Sequence, residues 1–272
     1  MKDILIIVVS ERKGGNCDLL ARYAEKLSND EIRIKSVYLK DFNIKQCQGC
    51  MSCVFKSVRC KLEDDLYNLI DIINDADGLI LIAPTYVLTI PGKLKLVMDR
   101  FLCLYSLIKD KIIRPAISIG VTSPIDWNQL QLPLMNIFLL ELGCKIIDSH
   151  FVFGAGQGEV LLTDAIDVIK DAIYKLKNYQ NKQYESCYSE YCPVDYCKFF
   201  EKIDSDKYRC PICLTPVIFR GNKFYFDEND LNNNRWTKEK MREHFEGWIL
   251  CTKGRFLNLL PQIYRKKKDL GL

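Results

Sequence analysis

The sequence predicts an α/β protein: a doubly wound, five-stranded parallel sheet carrying a small C-terminal appendage of zinc-ribbon type. Three observations carry this. Continuous β-branched runs such as Ile4-Leu5-Ile6-Ile7-Val8-Val9 alternate with segments of helical period across the first ~180 residues, the order expected of strands buried on both faces. Five cysteines then arrive between Cys187 and Cys213, beyond the polar stretch Asn178-Tyr179-Gln180-Asn181-Lys182-Gln183. The chain of 272 residues, 48% hydrophobic, is long enough for one full α/β domain and little more.

The first strand stops at Ser10, and Leu19-Leu20-Ala21-Tyr23-Ala24-Leu27 has helical spacing. Between them runs Ser10-Glu11-Arg12-Lys13-Gly14-Gly15-Asn16-Cys17, a basic, glycine-containing loop that opens a helix. Such a loop offers backbone N–H groups to a phosphate. It can equally be a plain βα turn with a helix cap at Asn16. Ile32 to Leu39 alternates and reads as an edge strand. A helix from about Asp64 places Leu66, Leu69, Ile70 and Ile73 on one face. Asp77-Gly78 turns into the third strand, Leu79 to Ala83, which ends at Pro84-Thr85-Tyr86. Pro91 suits the first position of the next helix, through Leu94, Val97, Met98 and Phe101. Ala116 to Val121 is the fourth strand, Leu130 to Leu142 a helix closed by Gly143, and Lys145 to about Phe153 the fifth strand. After a last helix, Ala165 to Leu176, Val217-Ile218-Phe219 and Lys223-Phe224-Tyr225-Phe226 form a hairpin around Arg220-Gly221-Asn222. The expected organisation is a domain over 1–180 with a cysteine loop inserted at 43–63, a cysteine-rich module over 185–230, and a helical tail over 231–272.

The inserted loop reads Cys47-Gln48-Gly49-Cys50-Met51-Ser52-Cys53, closed by Cys60. Three thiolates at two-residue gaps can converge on one face of a loop while a fourth closes the site, which favours a [4Fe–4S] cluster. Zinc usually draws its cysteines as two separated pairs, so it is the competing reading, and ordinary free thiols are the plain one. Lys56 and Arg59 stand beside the thiolates and would offset cluster charge. In the C-terminal module Cys192, Cys197, Cys210 and Cys213 follow C-x4-C-x12-C-x2-C, a zinc-ribbon spacing. A rubredoxin-like iron site needs two C-x-x-C knuckles, and at that offset the first arm offers Asp195. Cys187 is a spare that could replace Cys192 or Cys197. Cys103, Cys144 and Cys251 lie in apolar or helical contexts and are expected to be buried packing residues.

Read together, Ser10 to Cys17, Cys47 to Asp65 and Pro84 to Arg100 resemble the NADPH-dependent FMN reductase family of flavodoxin-like proteins, and most of all its iron–sulfur flavoprotein branch. The resemblance covers about residues 1–180. It implies a flavodoxin-like fold in which Ser10, Arg12, Gly15, Asn16 and Cys17 surround the FMN phosphate. Cys17 departs from the family's usual hydroxyl, so that contact falls to its backbone N–H. Pro84, Thr85, Tyr86, Val87, Leu88, Thr89 and Ile90 would border the isoalloxazine ring. A third contact is expected after the fourth strand at Gly120-Val121-Thr122-Ser123. The resemblance also implies a homo-oligomer in which one subunit's cluster faces a neighbour's flavin.

These readings converge on an FMN-dependent oxidoreductase whose [4Fe–4S] cluster exchanges electrons with a small one-electron carrier of ferredoxin type, or with NAD(P)H as substrate. The alternatives are a cluster-free NAD(P)H-dependent flavin or quinone reductase, and a metal-dependent binding protein acting through the ribbon. With only His150 and His244, both read as structural, no acid–base constellation for hydrolysis is visible. Asp64 and Asp65 read as first-turn helix residues. The formal charge of +4 and the isolated Arg265-Lys266-Lys267-Lys268 run argue against nucleic acid. No apolar stretch is long enough for a membrane span, and the absence of an export signal together with clustered cysteines predicts a cytoplasmic protein.

Overall fold

The computed structural model describes every residue except Ser57, Pro124 and Ile125. Five parallel strands, β1 (Lys2–Val8), β2 (Ile32–Tyr38), β3 (Gly78–Pro84), β4 (Arg114–Thr122) and β5 (Cys144–Phe153), form a sheet of order β2-β1-β3-β4-β5. This is the flavodoxin-like doubly wound order. Because side chains alternate along a strand, Ile4, Ile6 and Val8 enter one core layer and Leu5, Ile7 and Val9 the other. The first layer is closed by α1 (Asn16–Glu25) and α7 (Ala165–Lys177). The second is closed by α3 (Leu66–Asn74), α4 (Gly92–Met98) and α6 (Gln131–Glu141), with the short α2 (Ser52–Phe55) and α5 (Tyr105–Ile108) beyond them. Strand β2 lies at the edge, where Ile32 and Ile34 are buried and Arg33 and Lys35 exposed.

Three helix starts differ from the sequence reading. Gly15, not Asn16, is the N-cap of α1, and no side chain caps it. Pro91 is the N-cap of α4 rather than its first residue, and α3 begins at Leu66 behind the N-cap Asp65.

A second, antiparallel sheet holds β6 (Cys187–Ser189), β7 (Glu201–Lys202), β8 (Lys207–Arg209), β9 (Pro216–Arg220) and β10 (Lys223–Phe226) in the order β6-β10-β9-β8-β7. The β9–β10 hairpin turns on Gly221 and Asn222, both at positive φ, as a two-residue turn of this hand requires. Cys192, Val194, Cys210 and Cys213 from the sheet's connecting loops, with Val217 and Phe226 from the hairpin, join the core layer that α6 closes. The tail comprises α8 (Glu228–Asn232), α9 (Lys238–Arg242), a π-helical turn (Glu243–Ile249) and α10 (Thr252–Asp269). It returns to the first domain: Phe245 stacks on Tyr105 at 4.1 Å, and Phe256 on Phe55 at 6.1 Å. Among the described residues no helix is long and apolar enough to cross a membrane.

Candidate functional site

A cavity of about 410 Å³ opens at the carboxyl ends of the strands, where a doubly wound sheet binds its ligands. Ser10, Arg12, Gly15, Asn16 and Cys17 form one wall. With no side chain over the N-cap, the first-turn N–H groups of α1 are left for an anion, and Arg12 adds a fixed positive charge. The loop is held from behind. The Asp18 carboxylate accepts from the Gly14 N–H at 2.7 Å and from the Tyr38 hydroxyl at 2.8 Å, while Gly14 sits at φ +70°. Burial pushes the Cys17 thiol up to about 12, so it stays neutral beside the anion site.

The Asn16 side chain is occupied elsewhere. Its Nδ2 donates to the Gly154 carbonyl and its Oδ1 accepts from the Gly158 N–H, both at 2.8 Å. A Cβ at Gly154 would come within 2.9 Å of that Nδ2, so glycine is what lets the loop after β5 approach α1. The Asn16 side chain thus ties α1 to the loop after β5, while its backbone N–H stays available to a phosphate.

The opposite wall is Pro84, Thr85, Tyr86, Val87 and Leu88, with Val121, Thr122, Ser123 and Trp127 beside it. Tyr86 and Thr89 exchange backbone hydrogen bonds at 2.9 and 3.1 Å around Val87 and Leu88. Both central residues have positive φ, 47° and 70°. That conformation normally calls for Asn-Gly, and a β-branched residue in it is strained. The turn is braced by the Leu130 N–H on the Leu88 carbonyl, and by Gln131, fully buried, which bonds Thr85 Oγ1 and donates to the Ala83 carbonyl at 2.8 Å. Tyr86, Val87 and Trp127 expose apolar surface at the mouth, 44%, 84% and 59%, which a planar ring would cover. An anion pocket at one end and an apolar slot with backbone amides at the other fit FMN.

Three residues expected at the flavin do not line this cavity. Thr89 closes the tight turn, Ile90 is in the core, and Gly120 lies inside β4, where a Cβ would meet Gln131 Oε1 at 2.8 Å. Trp127, Gly154 and Ala155 line it without having been foreseen. The small-residue run Gly154-Ala155-Gly156 at the end of the fifth strand was the available signal, whereas Trp127 stands in no pattern.

A second cavity is lined by Cys47, Cys50, Cys53 and Cys60, together with Cys103. Cys103 is thus not simply a packing residue; its Sγ donates to the Arg100 carbonyl at 3.0 Å. Cys251 is exposed rather than buried, and Cys144 is buried as expected. Left-handed Gly49 (φ 62°) and Met51 (φ 55°) turn the chain so that successive cysteines face inward. Both limbs of the loop are tied to the start of α3. Arg100, 2% exposed, pairs with the Asp64 carboxylate and donates to the Lys45 carbonyl at 3.1 Å; Asp64 also accepts from the Lys45 N–H at 2.9 Å. Asp65 accepts from the Asn43 N–H at 2.7 Å, and the Cys60 N–H reaches the Tyr67 hydroxyl at 2.8 Å. Asp64 therefore serves as more than a first-turn residue: burial raises its pKa, but the Arg100 hydrogen bond and backbone N–H groups outweigh this and hold it below the usual range. Arg59 lies over the Tyr67 ring at 3.9 Å. The Ser52 hydroxyl, with backbone N–H groups, lowers the Cys50 thiol, while burial raises Cys53.

Sulfurs around one zinc ion stand about 3.8 Å apart, from Zn–S bonds near 2.3 Å in a tetrahedron. Among the described residues no three of these loop sulfurs lie within 4.8 Å of one another. They surround a space of about 70 Å³ instead, an arrangement suited to a cluster interposed between the thiolates.

The C-terminal cysteines are packed differently. Donor atoms of Cys192, Asp195, Cys210 and Cys213 all lie within 4.8 Å of one another, and all four residues are fully buried. Cys197 is buried beside them but outside that group, and Cys187 is half-buried in β6.

The sequence profile of the NADPH-dependent FMN reductase family matches residues 2–158. An iron-sulfur flavoprotein of Archaeoglobus fulgidus is 31% identical over 97 residues, 36% of this chain and 47% of that protein. One of Methanocaldococcus jannaschii is 33% identical over 92 residues, 34% of this chain and 47% of its own. One of Clostridioides difficile is 33% identical over 102 residues, 36% and 44% respectively. The chain thus spans a little under half the length of these curated relatives. A flavone reductase structure superposes with a TM-score of 0.68 at 16% identity, covering 98% of this chain and 96% of that one, which is a likeness of fold. With a profile match across more than half of its 272 residues, spanning strands β1 to β5 and every residue that lines the flavin cavity, the chain belongs to the NADPH-dependent FMN reductase family.

Proposed function

We propose that the protein is an FMN-dependent electron-transfer oxidoreductase in which a [4Fe–4S] cluster, held by Cys47, Cys50, Cys53 and Cys60, exchanges electrons between the flavin and a one-electron carrier of ferredoxin type. Membership of the family already makes it a flavin-dependent oxidoreductase. The observation that carries the finer reading is the position of the two cavities at either end of α4. Pro84 to Leu88, just before the helix, line one, and Asp99, Arg100 and Cys103, just after it, line the other. A helix of seven residues is about 10 Å long, so the two sites are close neighbours.

Bound FMN takes electrons in pairs or singly, and a [4Fe–4S] cluster exchanges them one at a time. The chain's own part is to bind and orient. Arg12 and the N-terminus of α1 hold the phosphate, the Val87–Leu88 turn presents backbone and apolar surface to the ring, and the Asp64–Arg100 pair fixes the entry of the cysteine loop. NAD(P)H as a second donor fits the open, partly apolar mouth at Tyr86 and Trp127. We further read 1–180 as the FMN domain with 43–63 as its cysteine loop, 185–230 as a metal-bearing module and 231–272 as a tail, in a cytoplasmic homo-oligomer.

Protein purified without oxygen tests this reading. Flavin bands with broad additional absorbance in the blue, and about four iron and four sulfide per chain, are the expected result. Flavin without iron makes it a cluster-free NAD(P)H-dependent reductase, and the absence of flavin overturns the assignment of the larger cavity.

A further inference from the structure

We infer that Cys192, Asp195, Cys210 and Cys213 hold one tetrahedral zinc ion, with Asp195 as the fourth ligand where the cysteine spacing nominates Cys197. The four donor atoms converge within 4.8 Å of one another, and two pairs stand a few tenths of an ångström inside the separations that an ion would set. Cys192 Sγ is 3.4 Å from Cys213 Sγ, and Cys210 Sγ is 3.2 Å from Asp195 Oδ2. Zinc bonds of about 2.3 Å to sulfur and about 2.1 Å to oxygen in a tetrahedron require separations of roughly 3.6–3.8 Å.

The backbone gives a second, independent argument. Cys192-Pro193-Val194-Asp195-Tyr196-Cys197 and Cys210-Pro211-Ile212-Cys213-Leu214-Thr215 are two copies of one knuckle. In each, the residue at the fifth position donates to the first carbonyl, Tyr196 to Cys192 at 2.8 Å and Leu214 to Cys210 at 3.0 Å. Each first residue donates to the sixth carbonyl, Cys192 to Cys197 at 2.8 Å and Cys210 to Thr215 at 3.0 Å. Each fifth residue has positive φ, 58° at Tyr196 and 63° at Leu214. Superposing the two puts Asp195 on Cys213 and Cys197 on Thr215. The sixth position therefore supports the ligand and is not one: the Cys197 N–H donates to Asp195 Oδ1 at 3.0 Å, as Thr215 Oγ1 meets Cys213 Sγ at 3.0 Å. The Cys197 sulfur is 3.4 Å from both the N–H and the carbonyl of Phe199, although it also lies against Cys210.

Charge completes the case. Three thiols and a carboxyl are fully buried together, and among the described residues no Lys, Arg or His pairs with Asp195. To be ionised in the interior, such groups need a paired or coordinated cation. A closed set of three sulfurs and one oxygen, with no open position, suits zinc in a structural role. The ion would fasten the second sheet to the first domain, because Asn136 Nδ2 donates to the Asp195 carbonyl at 2.8 Å while its Oδ1 accepts from Ser118 on β4 at 2.7 Å.

The test is metal content and chelator competition on the full chain. About one zinc per chain is expected, kept at unchanged affinity in Cys197→Ser and weakened at least about tenfold in Asp195→Ala. Should Asp195→Ala fail to fold, Asp195→Cys serves: it keeps the ion, and after cobalt substitution its thiolate-to-metal charge-transfer band grows by roughly one third as three thiolates become four. Zinc lost in Cys197→Ser but retained in Asp195→Ala, a cobalt band that does not grow in Asp195→Cys, or iron in place of zinc would each overturn the inference. FMN content and the iron of the Cys47–Cys60 loop are read in the same samples, so failure here is distinct from failure of the proposed function.

Discussion

Arg12 stands on the wall of the larger cavity at the start of α1, where it supports no core contact. Arg12→Ala should lower FMN retention about tenfold or more while changing stability by no more than about 0.5 kcal/mol. Equilibrium dialysis and a thermal melt on the same sample separate the two, and a variant with full flavin would reassign the loop. Glu141, at the end of α6, makes a different kind of prediction. Burial pushes its carboxyl up to about 8, with Asp99 adding to the rise and Lys95 opposing it, and its Oε2 has no hydrogen-bond partner. The folded state therefore keeps a proton that the unfolded chain releases from about pH 4.5 upward, so stability falls as pH rises from there to about 8. Glu141→Gln should be neutral at pH 4 and gain on the order of 2 kcal/mol at pH 8, after allowance for solvent screening, in urea unfolding at the two pH values. Single residues were where the sequence was hardest to read. Asn16 has the right type and place for a phosphate contact, yet its side chain is committed to a loop 138 residues away, a pairing that no local pattern encodes.

At the scale of elements, burial on both faces made β1, β3 and β4 visible as unbroken apolar runs, and alternation made β2 visible as an edge. The strands β6, β7 and β8 have only two or three residues, too few to show a period, and they emerge from pairing with the hairpin that composition did reveal. The Val87–Leu88 turn was hidden for another reason. It lacks the Gly or Asn that marks positive φ, so its tightness is imposed by the Tyr86–Thr89 pairing and by the braces from Leu130 and Gln131. Strain held at a ligand site by its surroundings has a measurable signature. The double variant Val87→Asn with Leu88→Gly should raise Tm by about 2–4 °C, the effect of one or two kcal/mol in a chain of this size, while weakening FMN binding through loss of the apolar edge. Calorimetry with and without flavin reads both, and a lower Tm in the apo variant would show that the turn is unstrained.

For the whole molecule, the sequence placed the two cysteine sets in the correct regions but not their geometry. Spacing alone could not separate a set that spreads around a cavity from one that closes to single-ion distances, nor reveal that Cys103 joins the first and Asp195 the second. The loop of the first set is braced by α3 from below and met by the tail at Phe55 and Phe256, while none of its residues lines the flavin cavity. That separation allows the two centres to be removed independently. Cys50→Ser takes away an exposed thiolate and should abolish or badly destabilise the cluster, with FMN bound at its normal stoichiometry. Reduced one-electron carriers should then reduce the flavin at least about tenfold more slowly in stopped flow, whereas dithionite, which acts on the flavin directly, reduces it as before. If the Cys50→Ser protein keeps its iron and its carrier-linked rate, the cysteine cavity is not on the electron path, and the reaction at the flavin is that of a plain reductase.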